Sequence, residues 1–383
     1  MPTDVSSFKD AYKTAIESKF PKNAKIILGD LEIPLNAVPI ALRYGTNPHQ
    51  PFMAYAPDSP NLSVGNLEML KGGKAGLSLT NLQDMSQALN VLKYFNRPAC
   101  VAMKHLNPCG FAGGYVWQNN STLYKNARKC DERSHFGSVV GLNTLVYTEI
   151  AEAIMETFVE CVIAPEYSPE ALEILKKNEG TKKLNNAIRV AKFKNLHKIP
   201  KFIGDDTKGF YNIRNLADGT LTFEVPYLTR IKSVEDFITD PMIPNSDPAK
   251  NNGKDYVVNT SPTKQQLDDC LTAWYLNINV RSNGIVFVKD GISLAVGTGQ
   301  QERIGAVEQA IAKAKQKGHS LEGAVMSSDA FFPSRDCIDA VAKEGVKAVV
   351  WPAGSISDSL VIEAANEHNI ALIATLERCF LHI

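Results

Sequence analysis

Short apolar runs that end in polar turns recur along the chain and predict buried strands. One of them covers residues 99–103 and ends at Lys104 and His105. An Asn-Pro pair and a glycine follow within residues 107–110, and we expect this group to stop the strand. Because strand ends line the ligand crevice of α/β folds, Lys104 and His105 should project into a site.

Helical periodicity marks three further segments. Residues 8–20 and 78–92 repeat apolar side chains every three or four positions, and residues 262–280 have a similar pattern. These spacings predict amphipathic helices, the second of which leads directly into the strand before Lys104. Residues 38–42 are strand-like and give way to an Arg-Tyr-Gly turn.

A strand stopped by proline and followed by a helix occurs in both halves of the chain. Residues 159–164 precede Pro165 and a helix over 169–175, and residues 348–351 precede Pro352 and a helix over 357–365. In each half another strand ending in polar groups comes first. The pattern indicates a divergent duplication.

The second half contains a clear hairpin signal. Residues 282–296 hold two apolar runs around Asp290-Gly291, a dipeptide typical of a two-residue hairpin turn. The glycine loop over 297–303 precedes a predicted helix, and such a loop favours anions. It has neither the phosphate-loop lysine nor a full dinucleotide fingerprint, so neither ATP nor NAD binding follows.

Residues 176–260 separate the two halves and are richer in Lys, Asn, Asp and Pro. A short apolar run at 221–225 predicts an edge strand within this structured connector. We therefore expect an α/β protein with a first subdomain over residues 1–200, a connector over 201–260 and a second subdomain over 261–383. A chain of 383 residues is long enough for two cores.

Charge and segment composition exclude several classes of protein. The 41 basic residues balance the 41 acidic ones, and the pI is near 7.0, which argues against a nucleic-acid partner. No segment approaches the ~20 apolar residues of a membrane helix, and the N-terminus has no signal-peptide pattern. We expect no membrane association.

The seven cysteines are scattered and odd in number, so a disulfide framework is not expected and a reducing cytoplasm fits best. The sequence has no Cys-x-x-Cys pair and no His-Glu-x-x-His spacing. We therefore expect no zinc or other transition metal.

Lys104 and His105 are the main candidates for chemistry. A partly desolvated lysine binds its proton less tightly, and imidazole titrates near neutral pH, so the pair can move protons. The alternative is a surface lysine beside a core histidine. Arg43 is either a bidentate clamp for phosphate or carboxylate or a surface arginine at a strand end. For His135 we favour a structural place.

Six motifs in order resemble the aminoimidazole carboxamide ribonucleotide (AICAR) formyltransferase family, from about residue 42 to the C-terminus with weak patches over 176–260. They are Arg43-Tyr44-Gly45-x-Asn47-Pro48-His49-Gln50, Lys104-His105-x-x-Pro108-x-Gly110, Ser134-x-Phe136-Gly137, Ser282-Asn283, Gly299-Gln300-Gln301-x-Arg303 and Ser328-Asp329-Ala330-Phe331-Phe332-Pro333-x-Arg335-Asp336. The family usually has an N-terminal inosinate cyclohydrolase domain, which has no counterpart in this sequence. We therefore expect no purine ring closure.

The resemblance implies two cytidine-deaminase-like α/β/α subdomains without the deaminase zinc, and a homodimer with active sites at the subunit interface. The implied reaction moves a formyl group from the cosubstrate 10-formyltetrahydrofolate to the 5-amino group of AICAR, with no metal required. By matching motif, the implied nucleotide contacts are Arg43, Tyr44, Gly137, Glu160, Arg303, Phe331 and Arg378. The implied folate contacts are Arg133, Pro333, Asp336 and Ser355.

The chemistry of this reaction explains the residue types. The aryl amine of AICAR is a poor nucleophile, so a base must take its proton as it attacks the formyl carbon, and His105 is the candidate. Lys104 and Asn283 fit the cation and the amide donor that an oxyanion needs, and losing one such donor typically costs about a hundredfold in rate.

Two other functions stay open. A formyltransferase could take its formyl group from formate activated by ATP, although the sequence has no phosphate loop with lysine. A catalytically silent relative could instead bind AICAR or folate as a sensor, or scaffold a partner protein. Retention of Lys104, His105 and Asn283 argues against loss of catalysis.

Overall fold

The computed structural model describes residues 15, 20–59, 61–73, 75–113, 120–177 and 186–382. The helix predicted over residues 8–20 lies outside this part of the chain, apart from positions 15 and 20. Among the described residues no helix has both the length and the apolar character needed to cross a membrane.

Strands and helices alternate along most of the described chain. The strands before residue 200 are β1 (Asn23–Leu28), β2 (Leu31–Ala37), β3 (Tyr55–Pro57), β4 (Glu68–Lys71), β5 (Ala99–Lys104), β6 (Asn107–Gly113), β7 (Ser138–Leu142), β8 (Leu145–Val146), β9 (Val159–Ala164), β10 (Glu166–Tyr167) and β11 (Arg189–Lys192). The later strands are β12 (Asn212–Asn215), β13 (Leu221–Glu224), β14 (Met242–Ile243), β15 (Tyr256–Val257), β16 (Ile285–Lys289), β17 (Ile292–Gly297), β18 (Val325–Ser328), β19 (Ala348–Trp351) and β20 (Ala371–Ala374). The helices are α1 (Leu79–Leu92), α2 (Asn120–Cys130), α3 (Glu132–His135), α4 (Thr148–Met155), α5 (Pro169–Lys176), α6 (Lys264–Asn277), α7 (Arg303–Gln316), α8 (Asp336–Ala342) and α9 (Asp358–Glu367).

One large sheet organises the described chain. Eleven of the described strands pair in the order β20-β19-β18-β16-β17-β6-β5-β7-β9-β11-β4. Strands β1 to β3 form a separate antiparallel sheet, and β8 with β10, β12 with β13, and β14 with β15 form small two-stranded sheets. The mixed α/β fold with a large sheet confirms that the protein is of the predicted α/β class.

The large sheet contains two copies of one element order. The series α1-β5-β6-α2-β7-α4-β9-α5-β11 is matched by α6-β16-β17-α7-β18-α8-β19-α9-β20. Each copy begins with an antiparallel hairpin and continues with three mutually parallel strands. Strands β6 and β17 pair antiparallel where the copies meet. The second copy is therefore turned end for end relative to the first.

Helices cover both faces of the sheet. Met85 of α1 and Trp274 of α6 belong to one core cluster, which extends across both copies. On the other face, Ile150 of α4 lies in the core of the first copy and Val341 of α8 in that of the second. Because successive strand residues point to opposite faces, the buried strands supply both layers of core, and the result is a three-layer α/β/α arrangement.

Local signals explain the confirmed elements. Ser78 caps α1 and Thr263 caps α6, and in each case a side chain three residues later completes a capping box. Asp290 and Gly291 have positive φ angles and close the predicted β16–β17 hairpin. The predicted strands over 99–103, 159–164 and 348–351 and the helices over 169–175 and 357–365 are also confirmed.

Two local predictions are wrong. The turn after β5 is formed by His105 and Leu106, and the Asn-Pro segment that follows opens strand β6 instead of ending the structure. Residues 38–42 form no strand, because only an isolated bridge pairs Leu42 with Leu77. Because this run has no neighbouring strand to pair with, its apolar character alone does not make it a β-strand.

The predicted connector is only partly separate from the large sheet. Residues 189–192, within the composition-biased stretch 176–260 but before the predicted connector at 201–260, form β11, which pairs with β9 inside the sheet. The predicted strand at 221–225 is confirmed as β13, paired with β12 outside the sheet. Residues 201–260 otherwise contain short strands, short 3-10 helices and turns. Ile238 bridges to Ala374 of the second copy, whereas Lys201 Nζ donates to the carbonyl oxygen of Lys93 beside α1.

Candidate active site

One end of the large sheet brings the predicted site residues together. Lys104 at the end of β5 pairs with Asn107 at the start of β6. Ile285 at the start of β16 pairs with Gly297 at the end of β17 and with Ser328 at the end of β18. The same end holds the starts of β7, β9 and β11 and the ends of β19 and β20. On or beside these strand ends are Lys104, His105, Arg133, Gly137, Glu160, Asn283, Arg303, Phe331, Pro333, Asp336, Ser355 and Arg378.

Lys104 points toward the loop that leads into β7. Its Nζ donates a hydrogen bond to the carbonyl oxygen of Phe136 at 2.5 Å. The next residue, Gly137, has a φ angle of +76°, and a Cβ built on it would lie 3.9 Å from Lys104 Nζ. That distance is an ordinary van der Waals contact, so the positive φ angle, and not a clash with the lysine, explains the glycine.

His105 lies in a turn of unusual composition. His105 and Leu106 have φ angles of +54° and +65°, whereas two-residue turns of this type favour Asn-Gly. Left-handed backbone costs roughly 1–2 kcal/mol for each residue with a side chain. The His105 side chain is exposed at the tip of the hairpin.

Asp84, on α1, stabilises this turn. Its Oδ1 accepts the N–H of Leu106 at 2.7 Å, and its Oδ2 accepts the N–H of His105 at 3.3 Å. The carboxylate is only 5% exposed. Burial raises the pKa of Asp84, and the two backbone N–H groups oppose that rise by favouring the charged form.

Asn107 connects the turn to the second copy of the repeat. Its Oδ1 accepts the backbone N–H of Arg281 at 3.0 Å and the hydroxyl of Thr298 at 2.8 Å. Its Nδ2 donates to the carbonyl oxygen of His105 at 3.1 Å. One side chain thus fixes the His105 turn against the loops on either side of the β16–β17 hairpin.

Arg43 and Tyr44 lie beside the start of α1, where Arg43 N–H donates to Leu77 O at 2.8 Å. The Arg43 guanidinium is 4.5 Å from the centre of the Tyr44 ring. Burial lowers the pKa of Arg43, and the nearby charge of Arg189 lowers it further, while Glu160 opposes the shift. The predicted residues Arg43, Tyr44 and Glu160 therefore form one group.

Arg189, which the sequence did not identify, organises this group. Its side chain is 2% exposed and forms an ion pair with Glu160 at 2.6 Å. Its Nε donates to the carbonyl oxygen of Gly76 at 2.6 Å. Among the residues that the structure describes, two cations face one carboxylate in this group, and such a balance of charge suits an anionic ligand.

Asn283 and Arg303 contact one another. Asn283 Nδ2 donates to the carbonyl oxygens of Gln300 at 2.8 Å and Gln301 at 3.0 Å, and its Oδ1 accepts from Arg303 at 2.6 Å. Arg303 is also paired with the fully buried Asp329. The guanidinium therefore holds the Asn283 side chain in place.

The C-terminal segment returns to the same region. Cys379 N–H donates to the carbonyl oxygen of Asp329 at 3.0 Å. The Phe380 ring lies 4.8 Å from the guanidinium carbon of Arg378 and 6.0 Å from that of Arg303. Arg378 is therefore a neighbour of the Asn283–Arg303 pair.

The loops after β18 and β19 hold the remaining predicted residues. The Phe331 side chain is 42% exposed, and Pro333 and Asp336 are exposed as well. Asp336 accepts the N–H of Cys337 at 2.8 Å at the start of α8. Ser355 is half-buried in the next loop. These residues form an exposed rim rather than a closed pocket.

A cavity of about 450 Å³ opens beside Lys104 and His105. Its charged lining residues, in addition to His105, are Lys104, Arg133, Lys313, Lys317 and Asp131. Lys317 forms an ion pair with Asp131 at 2.6 Å. Burial, and then the charge of Lys317, lower the pKa of Lys313. Asp131 is the one acidic group among the described residues that line this cavity, so its lining is cationic.

His135 has the structural place that the sequence favoured. It is 2% exposed and meets the Tyr124 ring edge to face at 5.3 Å. Burial, with smaller contributions from Arg128 and Lys104, lowers the pKa of His135 to about 4. Over the described ranges, no group of three or more His, Cys, Asp or Glu side chains could hold a metal ion.

Sequence reasoning missed four residues that support the site, namely Asp84, Asn107, Arg189 and Asp329. Asp84 had a usable signal, because it is an acidic residue on the apolar face of a predicted helix, between Leu82 and Met85. Asp329 stands inside a quoted motif. Arg189 had no local signal, since its partners are distant in sequence.

A family model described as "AICARFT/IMPCHase bienzyme" matches residues 5–313. Relatives named "Bifunctional purine biosynthesis protein PurH" include that of Caldicellulosiruptor saccharolyticus, which is 36% identical over 100% of this chain and 67% of its own length. That of Persephonella marina is 34% identical, with 97% of this chain and 63% of the relative covered. A Dictyostelium discoideum relative is 32% identical, with 99% and 62% covered. The chain thus spans about two thirds, or less, of the length of these relatives.

Two solved deaminases have limited similarity to the chain. A diaminohydroxyphosphoribosylaminopyrimidine deaminase/reductase from Thermotoga maritima is 29% identical, covering 26% of this chain and 32% of its own, with a TM-score of 0.22. The dCMP deaminase of cyanophage S-TIM5 in its apo form is 21% identical, covering 29% and 98%, with a TM-score of 0.22.

Proposed function

The chain belongs to the AICARFT/IMPCHase bienzyme family, and from that premise we propose that it transfers a formyl group from 10-formyltetrahydrofolate to the 5-amino group of AICAR. The products are formyl-AICAR and tetrahydrofolate. The observation that most supports this function is that residues from six separated motifs meet at one end of one sheet.

His105 is the proposed general base. It takes a proton from the amine of AICAR as the amine nitrogen bonds to the formyl carbon. Its exposed position at the hairpin tip leaves the imidazole accessible to a substrate. The N10–formyl bond of the folate then breaks, and N10 leaves with a proton. Imidazole suits both steps because one ring nitrogen can accept a proton and later donate it.

Lys104 and Asn283 are the proposed stabilisers of the oxyanion. Within the described part of the chain, Lys104 Nζ donates to Phe136 O, and an ammonium group has further hydrogens for a developing negative charge. Asn283 Nδ2 donates to the carbonyl oxygens of Gln300 and Gln301. Its role therefore requires that a substrate oxygen replaces one of these acceptors.

Arg43, Tyr44 and Glu160 are the proposed nucleotide contacts of one protomer, with Gly137 admitting the ligand close to the backbone. The positive surplus created by Arg43 and Arg189 favours a phosphate. Glu160 is 32% exposed at its side chain, so a carboxylate oxygen remains available for hydroxyl or amine donors.

We infer that the site is shared in a homodimer, with Phe331 and Arg378 supplied by the partner. Five strand spacings separate β9 from β16, which is about 24 Å along the sheet. A mononucleotide is shorter than that, so one AICAR molecule cannot bridge Glu160 and Arg378 of the same chain. The exposed apolar side chains at this end, Phe331, Ile356, Leu376 and Phe380, favour burial against a second copy.

The folate is proposed to bind between the exposed rim, with Pro333, Asp336 and Ser355, and the cationic cavity beside Lys104. Arg133, one of the predicted folate contacts, lines that cavity. A folate ends in a glutamate with two carboxylates, and a cationic lining favours such a group. Lys313 and Lys317 are therefore proposed to face the glutamate end.

The two copies of the element order support an origin from paired cytidine-deaminase-like subdomains, with the division near residues 201–260. No zinc is proposed, and no metal is required for the chemistry above. The free thiols of all seven cysteines, each within the described residues, fit the reducing cytoplasm proposed as its location.

The test is formyl transfer by the purified protein, with AICAR plus 10-formyltetrahydrofolate in one reaction and AICAR plus formate and ATP in another. We expect formyl-AICAR only with the folate donor, and loss of product in Lys104→Ala and His105→Ala. Product formed from formate and ATP would show that the formyl donor is formate activated by ATP. Bound AICAR without product from either donor would favour a sensor or scaffold.

A further inference from the structure

The anchored turn at His105 has a counterpart at the opposite end of the sheet. Asp269 on α6 accepts the N–H of Gly291 at 2.7 Å and the N–H of Asp290 at 2.9 Å. Asp269 is 3% exposed, and burial raises its pKa as it does that of Asp84. Each aspartate is the sixth residue of a 14-residue helix that opens one copy of the repeat.

The two turns differ in the backbone strain that the buried aspartate must offset. Asp290 and Gly291 form the dipeptide that this turn favours, because glycine adopts a positive φ without steric cost. His105 and Leu106 both have side chains at positive φ. The first turn therefore depends on its aspartate more strongly than the second does.

We propose that Asp84 is a positioning residue for formyl transfer, because it holds the strained turn that presents His105, and that Asp269 is its structural counterpart without a role in the chemistry. This inference rests on the proposed function, in which His105 acts as the base. Asp84 acts only through the backbone of the turn and contacts no substrate.

The substitution Asp84→Asn tests the two hydrogen bonds that Asp84 accepts from the turn. An amide has one oxygen, so it keeps at most one of the two backbone hydrogen bonds, and its NH₂ group faces an N–H that it cannot accept. The matched change Asp269→Asn removes the same interaction from the second turn. Both variants should lose thermal stability, because each leaves a buried N–H without a full partner.

The kinetic outcomes should separate the two variants. We expect Asp84→Asn to lower kcat by about a hundredfold, the typical effect of a base displaced by about 1 Å, with the KM for AICAR unchanged. Asp269→Asn should leave kcat unchanged. The second change Leu106→Gly should restore part of the lost kcat in the Asp84→Asn background, because glycine adopts the turn without help.

Amide hydrogen exchange gives a readout that does not depend on activity. The N–H groups of His105 and Leu106 should exchange faster in Asp84→Asn and at the wild-type rate in Asp269→Asn. A wild-type protein without formyl transfer would overturn the proposed function. In an active wild type, equal loss of kcat in both variants, no loss in Asp84→Asn, or no rescue by Leu106→Gly would overturn the positioning role alone.

Discussion

The side-chain oxygen of Asn107 accepts a hydrogen bond from the backbone N–H of Arg281 at 3.0 Å, although the two residues are 174 positions apart. Arg281 precedes Asn283 by two residues, and Asn107 follows His105 by two. The bond therefore holds the loop of the proposed base in one copy of the repeat against the loop of the proposed amide donor in the other.

Replacing Asn107 with alanine should uncouple these two groups. We expect a loss of about 1 kcal/mol in the free energy of unfolding, because the N–H of Arg281 and the hydroxyl of Thr298 lose this acceptor at a solvent-accessible position. We also expect kcat to fall at least tenfold. Denaturant unfolding and steady-state kinetics measure the two effects.

Asn143 offers a matched control for this change. It also joins loops through its side chain, accepting from Ala99 N–H at 2.7 Å and donating to Phe95 O at 2.8 Å, but at the other end of β7 from Lys104. Asn143→Ala should lower stability and leave kcat unchanged. Equal kinetic effects of the two variants would contradict a specific coupling through Asn107.

A shared active site predicts complementation between two inactive variants. Lys104→Ala and Arg378→Ala should each be inactive as pure proteins. If dimers form at random after mixing, half are mixed and each mixed dimer has one intact site, so about a quarter of the wild-type activity should return. Mixed dimers that are present but inactive would show that Lys104 and Arg378 act within one chain.

The cationic cavity predicts a selective effect on the folate cosubstrate. Lys317→Ala should raise the KM for the triglutamate of 10-formyltetrahydrofolate about tenfold, roughly the 1.4 kcal/mol expected for a lost charged contact. The KM for AICAR should not change. Lys315, two residues earlier at the end of α7, is exposed and paired with Glu344, so Lys315→Ala is the control. A change in the KM for AICAR, or none for folate, would place the glutamate elsewhere.

His135 predicts a loss of stability in acid. The pKa of His135 is about 4 in the folded protein, against 6.5 for an unperturbed histidine. Between pH 6.5 and 4 the unfolded chain therefore binds a proton that the folded protein does not, and stability falls by up to about 3 kcal/mol as the pH drops. Above pH 6.5 this histidine contributes no pH dependence.

Unfolding experiments from pH 7 to 4 test whether stability falls as the pH drops. The variant His135→Gln should lose less stability over that range than the wild type, whatever its stability at pH 7. His197 is exposed, so His197→Gln should follow the wild-type pH dependence. A parallel decline in all three proteins would show that carboxylates, and not His135, cause the acid sensitivity.

Local signals account for the elements that the sequence predicted. The capped helix over Leu79–Leu92 and the hairpin around Asp290-Gly291 each contain their own cue, either a capping residue or a turn dipeptide. The turn at His105-Leu106 contains no such cue, because its stability comes from Asp84, more than twenty positions earlier. The ordered motifs identified the site residues through resemblance to a family, and no local pattern would have separated Arg189 from other arginines.

The sequence did not predict how the proposed site residues lie relative to one another in space. The motifs placed Glu160 and Arg378 around one nucleotide, but no spacing in the sequence indicates the four strands that lie between β9 and β16. Pairing between distant strands fixes that distance, and strand order is a tertiary property. The likeness of the two helix-borne aspartates is visible only after the two copies of the repeat are compared in three dimensions.

The two hairpins divide two demands between the ends of one sheet. The Asp-Gly turn forms without steric cost, because glycine adopts a positive φ angle freely. The His-Leu turn can therefore hold two side chains at positive φ while the other hairpin keeps an undemanding turn. A fold with a single hairpin would place both demands on the same two residues.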